Sequence, residues 1–258
     1  MDVAVPARET VAARTPQAVA ATWVVVPTYN ERAALPALVA GVLATLGPVR
    51  GPDGTRLLVV DDDSPDGTGH LADELAWADD RVGVLHRSVK TGLGDAYVAG
   101  FTAALRAGAD RIVQMDADGS HDPAAIPALL AALDDGADLA LGSRYVPGGA
   151  TPDWPLARRM LSRAGCAYAR TLLDLPVRDL TGGFKAWTAG ALAKAIAQPL
   201  TVQGYGFQIE LTHRAVRAGA TVAEVPITFR DRTQGESKMG AGIVAEAIVR
   251  VPRLAVGR

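Results

Sequence analysis

Asp116 and Asp118, two carboxylates one residue apart, close the stretch Arg111-Ile112-Val113-Gln114-Met115-Asp116-Ala117-Asp118-Gly119-Ser120. Side by side and unneutralised, such groups repel each other. A hard divalent cation relieves the repulsion, and Mg2+ is typically held by one or two carboxylates plus substrate phosphates. The same letters also describe a solvated turn, because Asp and Gly favour turns. The company of the motif decides between the two. Glu31 follows the apolar run 23–26 through Pro27-Thr28-Tyr29-Asn30, and Asp61, Asp62 and Asp63 follow the apolar run 57–60. Arginines and a lysine lie further on. Acidic groups after the first two runs suit hydrogen bonds to a base or ribose. The D-x-D suits a metal on a diphosphate, and the cations suit a second anion. Together they read as a site for a nucleotide diphosphate, a metal and an anionic acceptor.

These residues need elements to place them. Residues 23–26, 57–60, 82–85, 111–115 and 138–142 are short, apolar and bounded by polar or glycine-rich clusters, which predicts strands. Helical patterns fill the intervals: 33–46, a stretch ending near 77, a long alanine-rich stretch ending near 108, and one running to 134. Asp122-Pro123 reads as an N-cap followed by proline at the first helical position. Strands alternating with helices predict an α/β fold, a Rossmann-like, doubly wound and mostly parallel sheet flanked by helices. The polar clusters fall after the strands, on the edge where open α/β sheets bind ligands.

The second half changes character. Residues 155–173 read as an amphipathic helix carrying Arg158, Arg159, Arg163 and Arg170. Residues 179–185 read as a tight glycine loop, 204–210 as the opening of another helix, and 221–230 as a strand pair interrupted by Pro226. Residues 1–20 show no period and are expected to be a mobile tail. Residues 21–240 are expected to form one catalytic domain. Residues 241–258 are expected to form an amphipathic helix, either packed on the core or lying on a membrane surface or a partner.

Composition narrows the classes. The chain has 258 residues, 49% of them apolar, which supports a sizeable core. A net charge of -2 gives no nucleic-acid footprint. The single cysteine, Cys166, precludes an internal disulfide. No signal peptide and no bilayer-spanning stretch is expected. Gly92-Leu93-Gly94 lacks the third glycine of a dinucleotide fingerprint and follows the third strand rather than the first. The phosphate loop, the His-Glu-x-x-His zinc motif and the G-x-S-x-G elbow are absent.

Eight blocks occur in order: V-V-V-P-T-Y-N-E, V-V-D-D-D-S-P-D-G-T, K-T-G-L-G-D-A, Q-M-D-A-D-G-S-H, L-G-S-R-Y, D-L-T-G-G-F-K, G-Y-G-F-Q-I-E and G-E-S-K-M. In these the sequence resembles the dolichol- and polyprenol-phosphate mannose synthases of glycosyltransferase family 2, from about residue 23 to 239. The resemblance implies a GT-A fold. It implies that Pro27, Tyr29, Glu31, Asp61, Asp62, Lys90, Gly92 and Asp116 line the nucleotide-sugar pocket, and that Asp116 and Asp118 hold Mg2+ or Mn2+. Ser120 stands where some relatives place a glutamine as a further metal ligand. Arg144, Arg158 and Ser162 fall where the family binds the acceptor phosphate, with Lys238 and Arg232 as further basic positions. Asp118, Arg144, Arg158 and Lys238 are thus expected to carry catalysis. Bland roles stand beside several of these: Tyr29 and Asn30 as a turn, Asp61 to Asp63 as a solvated loop, Arg158 as one charge among several on a solvent face, Lys238 as a surface loop charge, His121 as a support of the turn before Pro123, Gly182 and Gly183 for backbone needs, and Glu210 as a buried partner for an arginine.

The implied reaction is an inverting transfer of mannose from GDP-mannose to a polyprenyl monophosphate. Two rivals are a UDP-glucose donor and a non-catalytic nucleotide-sugar binding subunit. The expected location is peripheral, on the cytoplasmic side of a membrane. Attachment would run through the basic C-terminal stretch or a separate membrane-anchoring subunit, with no nucleic-acid partner.

Overall fold

The computed structural model describes residues 20–46, 56–202, 204, 206–231, 251–252 and 254–255. The expected tail (except Ala20), Arg232, Lys238 and most of the C-terminal stretch lie outside the described residues. The first half alternates as the sequence predicts: β1 (Thr22–Thr28), α1 (Leu35–Leu46), β2 (Arg56–Asp61), α2 (Thr68–Ala78), β3 (Val82–His86), α3 (Leu93–Arg106) and β4 (Arg111–Gln114). Then come α4 (Ile126–Asp134), β5 (Leu139–Ser143), α5 (Leu156–Leu173), β6 (Lys185–Thr188), α6 (Ala189–Ala195), α7 (Gly206–Arg217) and β7 (Val222–Pro226). Asp122 caps as expected, its side chain accepting from the Ala124 amide at 2.9 Å, although one 3-10 turn, Pro123–Ala125, precedes α4.

The strands form one sheet in the order β3-β2-β1-β4-β6-β5-β7. Every neighbouring pair is parallel except the two made by β6, which runs against β4 and β5. Strands buried on both faces read as near-continuous apolar runs. Accordingly Val24, Val26, Val59 and Val113 face one core layer with α1, α2 and α4. Val25, Val60, Ile112 and Trp187 face the other with α3, α6 and α7. α3 lies close on the sheet, since a Cβ on Gly100 would meet Val25 Cγ1 at 2.5 Å and Val60 Cγ2 at 2.8 Å. Val251, Leu254 and Ala255 pack against the second layer.

Two expectations about the second half need correction. The expected glycine loop ends by starting a strand: Lys185 opens β6, which sits in the middle of the sheet. Four residues, Lys-Ala-Trp-Thr, carry too short a pattern to announce this, and the leading lysine argues for a loop. The expected strand pair at 221–230 is one strand, β7. Beyond Pro226, among the described residues, the chain pairs with 143–150 through the Ile227 amide on the Ser143 carbonyl and a bridge between Thr228 and Ala150.

Candidate active site

The carboxyl ends of β1, β2, β4 and β5 share one edge with the amino end of β6. The reversed strand causes this. Gln114 pairs with Lys185, and Lys185 with Leu141. The segment entering β6 therefore runs beside the segments leaving β4 and β5. The Gly142 amide donates to the Phe184 carbonyl at 2.8 Å.

The D-x-D forms the centre. Asp116 and Asp118 are half-buried. The Tyr97 hydroxyl of α3 donates to Asp116 Oδ1 at 2.7 Å, and the Ser120 amide donates to Asp118 Oδ1 at 2.9 Å. Gly183 lies directly against the first carboxylate: a Cβ there would meet Asp116 Oδ2 at 2.5 Å. The bland role of backbone need at Gly183 is thus joined by close approach to the Asp116 carboxylate. His121 is buried between Phe184, stacked at 5.0 Å, and Phe229, edge-on at 5.5 Å. The Asp116 amide donates to His121 Nδ1 at 3.3 Å, which assigns the hydrogen to Nε2. Burial holds the imidazole below its usual pKa, against the pull of Asp116 and Asp118. Its Nε2 is the buried side-chain nitrogen without a hydrogen-bond partner among the described residues. Ser120 is buried, and its carbonyl accepts from the Arg230 amide at 3.2 Å.

The expected nucleotide side follows β1, β2 and β3. Pro27 pairs in register with Val60 and Thr28 with Asp61. Asp61 is buried and accepts from the Ser64 amide at 3.3 Å and the Thr28 hydroxyl at 3.4 Å. Burial pushes the Asp62 carboxyl up, and Arg87, the Gly92 amide and Lys90 oppose that shift. Arg87 is ion-paired to Asp62 and also donates to the Thr91 hydroxyl at 2.6 Å. The Lys90 ammonium sits 3.3 Å from the centre of the Tyr29 ring. Glu31 caps α1 through its carbonyl, which accepts from Ala34 and Leu35. Pro27, Tyr29, Glu31, Asp61, Asp62, Lys90 and Gly92 thus share one end of the edge.

The expected acceptor side follows β5. Arg144 is buried, and Asp179 takes its fork: Nε donates to Oδ2 at 2.7 Å and Nη2 to Oδ1 at 2.6 Å. Nη2 also donates to Thr181 Oγ1 at 2.7 Å. Burial opposes the Arg144 charge, and the Asp179 carboxylate overrides it, leaving Arg144 above its ordinary pKa. The mirror balance leaves Asp179 below its own. Arg158 of α5 is partly exposed and paired with Asp231. Ser162 accepts from the Tyr145 hydroxyl at 2.6 Å. Glu210 is the arginine partner foreseen, bonded to Arg214 at 2.6 Å, and it also holds the Thr201 and Val202 amides.

Sequence reasoning missed Tyr97, Asp179, Arg87 and Asp231. Tyr97 was hidden in an alanine-rich helix, where its hydroxyl on a core-facing ring was the one signal. Asp179 stood inside a quoted block but had no assigned partner.

Hard oxygen donors at the sheet edge suit Mg2+ or Mn2+. No cluster of three or more His, Cys, Asp or Glu that could hold a metal occurs among the described residues. The two carboxylates of the D-x-D fit a cation completed by substrate phosphates.

A doubly wound sheet with a reversed strand beside a D-x-D, and cations beyond it, defines a GT-A glycosyltransferase. The model of the family "Glycosyl transferase family 2" matches residues 23–194, and the chain belongs to that family. It is similar to polyprenol monophosphomannose synthase of Mycolicibacterium smegmatis, with 50% identity over 231 residues, covering 89% of this chain and 85% of that protein. It is 49% identical to undecaprenyl-phosphate mannosyltransferase of Micrococcus luteus, covering 89% of this chain and 91% of that protein. Dolichol-phosphate mannosyltransferase of Pyrococcus furiosus is 35% identical, covering 90% of this chain and 62% of that protein. In fold, the chain is similar to glucosyl-3-phosphoglycerate synthase from Mycobacterium tuberculosis, solved in complex with Mg2+ and uridine-diphosphate. The TM-score is 0.67 and the identity 22%, over 92% of this chain and 80% of that one.

Proposed function

We propose that this glycosyltransferase moves mannose from GDP-mannose to a polyprenyl monophosphate with inversion, using Mg2+ or Mn2+. The observation that carries the reading is the placement of Asp116 and Asp118 on the same sheet edge as Arg144 and the Arg158–Asp231 pair. That placement supports a divalent-ion site beside an anion site at the ends of the strands. The names of the relatives at 50% and 49% identity support the sugar and the lipid class.

In this mechanism an acceptor phosphate oxygen attacks the anomeric carbon. The new carbon–oxygen bond forms as the bond to the diphosphate breaks, and GDP leaves with that electron pair. The acceptor is already ionised near neutral pH, so no strong general base is needed. The chain's contribution is to place two anions in line and to neutralise charge. Asp116 and Asp118 hold the divalent ion, which supplies Lewis-acid stabilisation of the leaving diphosphate. Tyr97 holds the Asp116 carboxylate, and the His121 ring accepts from the Asp116 backbone amide. Arg158 orients the acceptor phosphate, with Ser162 on the same helix, while Arg144, its fork held by Asp179, adds charge to that side; Lys238 and Arg232 are assigned to the same phosphate. Pro27, Tyr29, Glu31, Asp61, Asp62, Lys90 and Gly92 hold the nucleotide. Ser120, buried with its amide on Asp118, contributes by shaping the metal loop.

The enzyme meets its lipid peripherally, at the cytoplasmic side of a membrane. Among the described residues no helix is long and apolar enough to cross one. α5 instead exposes Leu156, Met160, Leu161 and Tyr168 beside Arg159 and Arg163, and contains no acidic residue. An apolar face flanked by arginines suits an anionic bilayer surface. The C-terminal stretch or a separate anchoring subunit would add to it.

Radiolabelled GDP-mannose and a short polyprenyl phosphate, with and without Mg2+ or Mn2+, test the reading. Metal-dependent label in the organic phase is the expected result. Transfer only from UDP-glucose would move the donor assignment, and no transfer to any lipid phosphate would overturn the acceptor.

A further inference from the structure

We infer that Asp231 and Trp154 are positioning residues that fix the Arg158 guanidinium so that its Nε–Nη2 edge faces the acceptor phosphate. This deepens the acceptor assignment proposed above and rests on it. Three contacts define the arrangement. The Trp154 ring lies under the guanidinium, 4.1 Å from Arg158 Cζ to the ring centre. Arg158 Nη1 donates to both Asp231 oxygens, at 2.8 and 3.0 Å. Trp154 Nε1 donates to Asp231 Oδ1 at 3.1 Å. The ring sets the plane of the guanidinium, and the carboxylate sets its rotation within that plane. Indole and carboxylate hold each other in turn. What remains is the Nε–Nη2 edge, which makes no hydrogen bond among the described residues. That edge is the planar fork that binds carboxylate or phosphate bidentately.

The contrast with Arg144 shows that the fork is what differs. Asp179 takes the Nε–Nη2 edge of Arg144, whereas Asp231 engages only Nη1 of Arg158. The triangle is also tied to the metal loop. Trp154 is buried and packs edge-on against Phe229 at 5.4 Å. The Phe229 amide donates to the Ala150 carbonyl at 2.9 Å, and the next amide, Arg230, donates to the Ser120 carbonyl. The Asp231 amide donates to Asp153 Oδ2 at 3.2 Å. The orientation of Arg158 is thus set by a segment that touches the loop carrying Asp118.

Steady-state kinetics on the full chain, with GDP-mannose and a short polyprenyl phosphate, test this. Asp231→Ala is expected to raise the acceptor KM about tenfold, the worth of one charge-assisted hydrogen bond, with donor KM unchanged. Asp231→Asn keeps an oxygen for both donors and is expected to restore most of the loss. Arg158→Lys, which keeps charge but lacks the fork, is expected to be as impaired as Arg158→Ala. An unchanged acceptor KM in Asp231→Ala, or a lowered one as from a carboxylate competing with phosphate, would overturn the inference. If Arg158→Ala itself left acceptor KM untouched, the acceptor assignment would fail first. A shared melting temperature and an unchanged donor KM show that the variants fold.

Discussion

Arg144 and Arg158 look alike in sequence, two arginines after the fifth strand, and their surroundings make them different. Arg144 is buried in a two-point ion pair, so removing its partner strands a charge. Asp179→Ala is expected to cost about 3–5 kcal/mol of stability, read as a lowered urea midpoint. Arg158→Ala removes a partly exposed cation and is expected to cost no more than about 1 kcal/mol while impairing acceptor use. The sequence announces the carboxylates of the D-x-D because their spacing is local. It does not announce Asp179, Tyr97 or Asp231. These act on residues 35, 19 and 73 positions away, and only folding brings the partners together. The expected acceptor cations are legible as charges, but whether each keeps an open edge depends on those same distant partners.

At the scale of elements, the alternation of strands and helices is legible because each strand in the first half is an apolar run with a helix behind it. β6 is not, yet it brings Gly183 under Asp116. Gly183→Ala would press a methyl on the carboxylate, and displacement of Asp116 is expected to cut kcat/KM about a hundredfold. The fold should survive, as read by circular dichroism. β6 also carries a fully buried lysine. Lys185 Nζ donates to the Gln208 carbonyl at 2.9 Å and the Thr212 hydroxyl at 3.1 Å, and burial pushes its pKa down to about 7. In the unfolded chain the group titrates at an ordinary lysine pKa. Between these values the unfolded state binds more protons, so stability from this group rises with pH. Below about 7 the folded protein bears the full cost of the buried charge. Thr212 already donates to the Gln208 carbonyl at 2.9 Å, so Lys185→Met leaves few groups unpaired. Lys185→Met is expected to melt higher than the parent at pH 6, with the gap closing towards pH 10. A gap constant across that range would contradict the buried ammonium.

For the whole molecule, the proposed lipid acceptor has to be met at a surface, and α5 offers an apolar one. The amphipathic character of residues 155–173 is legible in sequence. Which of its apolar residues stay uncovered is not, because that depends on how little of α5 the core takes: Cys166, Ala169 and Leu173 are its buried residues. Met160→Asp with Leu161→Asp is expected to abolish sedimentation with anionic liposomes and to spare turnover on a detergent-dispersed acceptor. Sedimentation that persists would move attachment to another part of the chain.

The reversed strand has a consequence for the order in which the molecule is made. When the ribosome has released β1 through β4, four parallel strands exist, and the outer side of β4 has nothing to pair with. Its partner β6 does not exist until the chain between Gln114 and Lys185 has been synthesised. During that interval an apolar edge bearing Ile112 and Val113 stands open, and unpaired edges of this kind recruit other chains. A nascent chain stalled or cut before β6 would therefore carry a complete D-x-D and an adhesive flank at once, leaving it a substrate for chaperones before it can become an enzyme.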